Sequence, residues 1–258
     1  MDNAMQQVIT SSVKILTLIF TAIGMVLSNC YAGVTLTGTR IVFIEGQKEK
    51  IVRTSNKGEL PALVQVWVDE GQSAVEGTEH ETPFMTIPPL FRIEPGKGQS
   101  VRVRYLGQAL PKDRESLFWF NLLEVPPNSG EENQSERLSL AFKTRIKLFY
   151  RPAALTQSSA EQGTKLHWKL AKPGELSVTN PTPYYLSFYS VELNAGERKE
   201  EIPLSMLSPY SEEKIILPTT LRHKRLDEIN FELINDYGNG SKYHGKYSDD
   251  KGFIISKK

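Results

Sequence analysis

A chain of 258 residues with a hydrophobic fraction of 39% is long enough to bury two cores of ordinary size. A formal net charge of +1, with 24% charged residues, excludes a chain steered as a whole to nucleic acid, so any basic chemistry must be local. The one cysteine, Cys30, allows no internal disulfide.

Residues 1–32 differ in kind from the rest. Lys14, an apolar run from Ile15 to Leu27, and small and polar residues up to Ala32 predict a secretory signal peptide cleaved after Cys30-Tyr31-Ala32. The run falls short of the roughly 20 apolar residues that a spanning helix needs, which sets a membrane anchor aside. A lipoprotein signal ending on Cys30 is a poorer reading, because Asn29 fits badly before a lipidated cysteine. Cleavage removes the cysteine, so the mature chain from Gly33 enters an oxidising compartment held together by packing alone.

From Gly33 onward the pattern is strand and turn. Residues 34–43 (VTLTGTRIVF), 61–69 (PALVQVWVD), 99–105 (QSVRVRY) and 116–125 (SLFWFNLLEV) are rich in β-branched and aromatic residues. Turn signals such as EGQK, SNKGE, EPGKG and PPNSGEEN separate them. A polar connection, 153–165, follows Pro152, and a second β series occupies 166–171, 175–180, 184–193, 213–218 and 228–236. The tail, SDDKGFIISKK, reads as a last edge strand or a frayed end. No long segment has a helical period. The prediction is an all-β chain with a signal peptide at 1–32, an N-terminal immunoglobulin-like sandwich at 33–152 and a C-terminal one at 153–258.

Residues 137–152, RLSLAFKTRIKLFYRP, pose a particular question. Leu138, Leu140 and Phe142 share one parity, as a strand with one apolar face requires, and then Lys143, Arg145, Lys147 and Arg151 make its second half basic. The apolar side chains face either the core of their own domain or a partner to which the strand is lent. Native folds protect long apolar edges, so an open one would be functional.

RIKLFYRP (145–152) together with DRESLFWFNLLEVPP (113–127), PPLFRIEPGKGQSVRVRY (88–105), NPTPYYLSF (180–188) and INDYGN (234–239) resembles the periplasmic pilus-assembly chaperones, the PapD-like family, over most of the mature chain. The resemblance implies two immunoglobulin-like domains set at an angle around a cleft. It implies a periplasmic chaperone that binds and caps incomplete pilin subunits by donor-strand complementation and delivers them to an outer-membrane usher. On that basis Leu138, Leu140, Phe142, Thr144 and Ile146 form the donor strand, and Arg40 with Lys147 anchors the pilin's terminal carboxylate. Lys147 has the opposite parity to the apolar residues, which calls for a twist or bulge between them. Glu124, Arg151 and Asp236 are implied to form ion pairs between the domains. The short polar loop 127–137, without cysteine, matches the short-loop branch of the family. A bare apolar strand also invites self-association of the free protein.

Other function classes find little support. His80, His167, His223 and His244 have no metal-site spacing, EPGKGQS lacks the frame of a phosphate loop, and no GxSxG elbow occurs. The expectation is a non-enzyme without metal or cofactor and without nucleic-acid partners. The alternative is a pilus structural subunit or an adhesin-like module of the same fold. NQS (133–135) fits a glycosylation acceptor pattern, read here as loop polarity.

Overall fold

The computed structural model describes residues 33–71, 82–125, 140–222 and 224–258; the predicted signal peptide, His80, His223, the 127–137 loop and Leu138 lie outside them. In the first half, the described strands are β1 (Val34–Leu36), β2 (Arg40–Ile44), β3 (Glu49–Asn56), β4 (Ala62–Asp69), β5 (Phe84–Ile87), β6 (Leu90–Ile93), β7 (Gly98–Tyr105), β8 (Ser116–Val125) and β9 (Phe142–Arg151). They make two sheets, in the orders β1-β3-β7-β5 and β2-β9-β8-β4-β6. Alternation drives the packing: Ala62, Val64, Val66 and Val68 of β4 all turn inward, as do Phe118, Phe120 and Leu122 of β8. Phe43, Phe84, Phe118 and Tyr150 fill the space between the sheets with edge-on and stacked rings.

The segment 34–43, which reads as one strand, is two. Residues 34–36 pair antiparallel with β3 in one sheet, and Arg40–Ile44 pair parallel with Lys147–Arg151 in the other. Gly38, at φ +96°, makes the crossing in a backbone region that side chains disfavour. The parallel pairing of β2 covers only the last half of β9, and this decides what the site can do.

The second half carries β10 (His167–Lys172), β11 (Glu175–Asn180), β12 (Leu186–Ala195), β13 (Arg198–Glu201), β14 (Met206–Leu207), β15 (Ser211–Ile216), β16 (Glu228–Ile234), β17 (Gly240–Ser248) and β18 (Gly252–Lys257). The order is β13-β12-β16-β17-β18-β10-β11-β15, with β14 paired to β12. One residue pair, Trp168 with Phe253, joins β18 to β10, and side chains from both sides of that joint share one core around Trp168, Phe231 and Tyr243. The tail is therefore a strand and not a frayed end: β18 pairs with β17 along its length and meets β10 only at Phe253. The connection after Pro152 is also more than a linker. It contains a 3-10 helix, Ser159–Lys165, whose Ala160 carbonyl accepts from the Tyr243 hydroxyl and whose Gly163 leaves room for that ring.

A cationic site between the two domains

The β8–β9 ladder runs without a break from Ser116 opposite Tyr150 to Glu124 opposite Phe142. The bulge expected between the apolar residues and Lys147 is not there. Parity therefore holds throughout β9, and its two faces have separate surroundings. On the even face, Ile146, Leu148 and Tyr150 lie in the core of the N-terminal domain, while Leu140 (53% exposed), Phe142 (61%) and Thr144 extend beyond it, uncovered. Ile146, expected in the donor set, is thus a core residue at 9% exposure. The edge of β9 away from β8 is paired with β2 only from Lys147 on, so Phe142 to Ile146 present a bare edge among the described residues.

The odd face, at the end paired with β2, meets the C-terminal domain. Arg40 and Lys147 are direct partners in the parallel ladder. The Arg40 Nη1 donates to the Ile234 carbonyl at 3.0 Å, and the guanidinium stands 5.9 Å from the Phe149 ring centroid. Its Nε–H is buried without a partner. Lys147 Nζ donates to Ser187 Oγ at 3.0 Å. Among the described residues neither cation has a carboxylate within ion-pair distance. Burial, and then Arg40 beside it, pull the Lys147 ammonium down from 10.5 to about 8. Burial also lowers Arg40, against the more distant pull of Asp236 and Glu115. Two crowded, partly desolvated cations with an orphan N–H form a ready receptor for an anion.

Beside them the domains are joined by a buried ion cluster. Arg151 donates from Nε to Glu115 Oε1 at 2.7 Å and from both Nη atoms to Asp236 at 2.7 and 2.8 Å. Glu115 Oε2 accepts from the Tyr185 amide at 2.8 Å, and the Glu115 amide donates to Pro183 O at 2.9 Å. Desolvation pushes the Glu115 carboxyl up although Arg151 pulls it down, and burial would lower Arg151, but its bonds to Asp236 and to Glu115 hold it above its usual range. Of the three residues implied to pair between the domains, Arg151 and Asp236 are brought together. Glu124 does not join them: it sits at the other end of β8, where its carboxylate accepts the Val34 amide at 2.8 Å. Glu115 takes its place.

A model of the pili and flagellar-assembly chaperone PapD N-terminal domain matches residues 33–156, and one of the pili assembly chaperone PapD C-terminal domain matches 161–245. The chain belongs to the PapD family of pilus-assembly chaperones. It is similar to the probable fimbrial chaperone YadV of Escherichia coli K12, 40% identical over 217 residues that cover 82% of this chain and 88% of that one. The chaperone FimB/FhaD of Bordetella pertussis is 37% identical over 223 residues, 84% of this chain and 89% of the relative. Among solved structures, YadV superposes with a TM-score of 0.71 at 38% identity, covering 83% of this chain and all (100%) of that one. SafB of Salmonella enterica, solved in complex with the pilin SafA, gives 0.71 at 28% identity over 85% of this chain and 98% of SafB. The two sandwiches of this chaperone are therefore the two domains of that fold, and the reading as a structural subunit is set aside.

The loop that carries Asp236 depends on one close approach in this chaperone. Gly238 has φ +89°, and a Cβ there would lie 2.6 Å from Thr39 Oγ1, next to Arg40. Gly238→Ala is expected to lower stability by about 1–2 kcal/mol from backbone strain alone. Urea unfolding measures it, and adding Thr39→Gly should restore the smaller part that comes from the clash.

Proposed function

We propose that this chaperone works in the periplasm, lends the overhanging half of β9 to a pilin subunit that lacks a strand, and hands the subunit to an outer-membrane usher. The observation that carries the reading is, among the described residues, the bare edge from Phe142 to Ile146 ending at two cations with no acidic partner. A subunit strand laid on that edge parallel to β9 would stand in line with β2 and end at Arg40, the first residue of β2. Its terminal carboxylate would then meet Arg40 and Lys147, and this fixes register where period-2 pairing alone would allow a slip. Leu140, Phe142 and Leu138 would enter the subunit's groove, each worth roughly 1.5–3 kcal/mol once covered. The complex of SafB with the pilin SafA supports a partner of this class. Residues 1–32 would direct export. At the end of the outer face away from Arg151, Leu63, Leu90 and Val125 are exposed together, an apolar patch suited to the usher. The same bare edge would let the free chaperone pair with a second copy.

The test is co-expression with a pilin subunit. Wild type is expected to keep the subunit soluble and to co-purify with it, and Arg40→Ala with Lys147→Ala should lose both, though still exported and folded. Soluble, bound subunit with the double variant would remove the anchor from the reading.

A further inference from the structure

The lent half of β9 has a mechanical problem. Among the described residues its even face is uncovered at Leu140, Phe142 and Thr144 and its outer edge has no partner from Phe142 to Ile146. There the ladder to β8 is its main support, and a strand held on one edge alone frays. Its odd face supplies the remedy. Lys143 Nζ lies 4.9 Å from the Trp67 ring centroid, and the Arg145 guanidinium lies 4.4 Å from that of Trp119. Arg145 Nη2 also donates to Asp69 Oδ1 at 2.6 Å. Asp69 is buried and aimed, since its Oδ2 accepts from Asn121 Nδ2 and its Oδ1 from the Gly71 amide, both at 2.9 Å.

The register shows the direction of reach. Lys143 is opposite Leu123 and Arg145 opposite Asn121 on β8, whereas Trp67 is opposite Asn121 and Asp69 opposite Trp119 from the β4 side. Each cation therefore crosses the whole of β8 and leans two residues along the ladder toward the Arg40–Lys147 end. Both lie over the sheet as straps from β9 to β4, leaving the other face and the bare edge clear.

We infer that Lys143 and Arg145 are positioning residues that hold the lent half of β9 extended and flat before a subunit arrives. The inference rests on the strand-lending reading and deepens it. A strand ordered in advance loses less freedom on binding, so the straps act on subunit affinity without touching the subunit's groove. Tryptophan under each cation suits this task, because stacking on its face holds a long side chain without burying its charge.

Hydrogen exchange on the free, full mature protein tests the first half of the inference. Lys143→Ala should speed exchange in residues 140–146 by about fivefold, the worth of one cation–aromatic contact at a half-exposed site. Arg145→Ala alone would strand a buried carboxylate, so it is combined with Asp69→Asn; with Lys143→Ala added, the acceleration should reach about tenfold or more. Lys143→Arg should restore wild-type exchange. The second half is read with a ten-residue synthetic peptide of alternating Val and Ser ending in a free carboxylate. Its affinity should fall about tenfold in the combined variant, in which Arg40 and Lys147 are untouched. Unchanged exchange in 140–146 overturns the inference, and so does acceleration spread equally over β3 and β7, which would mark general destabilisation. Local acceleration with full peptide affinity overturns the positioning role. If wild type binds neither the free-acid nor the amidated peptide, strand lending fails and the positioning role falls with it; persisting local acceleration tells that failure apart from failure of the straps.

Discussion

Arg151→Ala is expected to destabilise the protein by about 3–5 kcal/mol, because it strips the cation from a buried cluster and leaves two carboxylates unpaired. Glu115 has 1% of its side chain exposed and Arg151 has 7%, so solvent cannot replace the lost bonds. The effect should also be directional. Arg151 belongs to β9, Asp236 to the loop after β16, and Glu115 bonds the backbone of Tyr185 and Pro183, so the cluster is the main polar tie between the sandwiches. Two predictions separate this tie from ordinary core damage. Urea unfolding should split into two transitions, one per domain, and small-angle scattering should show a larger radius of gyration in native buffer. Arg151→Lys should recover only part of the loss, since an ammonium cannot fork to Glu115 and Asp236 together. The pH dependence has a fixed sign. Without Arg151 the buried Glu115 has a folded-state pKa raised above its unfolded value, so its contribution to stability is present at acid pH and lost as pH rises through the folded pKa. The variant should therefore gain stability relative to wild type between pH 7 and pH 5, and an unchanged difference across that window would count against Glu115 as the stranded group.

The identity of the third ion-pair member shows what the sequence carried and what it did not. Both Glu115 and Glu124 lie in the stretch that resembles the family, and the wrong one was expected. Antiparallel register decides between them: β8 and β9 form one ladder in which Ser116 faces Tyr150, and one further step sets Glu115 against Arg151, while Glu124 faces Phe142 at the far end. That arithmetic needs the register of the hairpin, which the intervening loop conceals. Strand content was legible because alternation was strong: 116–125 is β8 to the residue. The crossing at Gly38 was not, since a β-rich run reads the same whether it stays in one sheet or changes sheets. Ile146 was misplaced for a related reason. Periodicity tells which residues share a face, and not where along that face the core ends. The bulge inferred from the parity of Lys147 is absent because β9 keeps one unbroken register from Phe142 on, with Phe142 and Lys147 on opposite faces.

Lys147 is expected to be a residue that weakens the free protein. Burial and the nearby Arg40 lower its ammonium from 10.5 to about 8, so between those values the unfolded chain binds the proton more tightly than the fold does. Stability must then rise as pH climbs from about 8 toward 10.5, and below 8 the whole deficit is present. Lys147→Met keeps the stem and removes the charge. It should raise stability at pH 7 by about 1 kcal/mol, or a melting point higher by a few degrees, with the advantage over wild type vanishing above pH 10. The same substitution should weaken binding of a strand with a free carboxylate by about tenfold to a hundredfold, the worth of one charge-assisted bond. Wild-type affinity should itself decline as pH rises above about 8, when the ammonium loses its proton, and the decline should be absent in Lys147→Met. Calorimetric melting and peptide titration at pH 6.5, 8 and 9.5 measure both effects on one pair of proteins. A variant that is both less stable and unaltered in binding would show Lys147 to be a structural partner of Ser187. Gain of stability with loss of binding would mark a charge kept unpaired for a ligand that brings its own counter-ion.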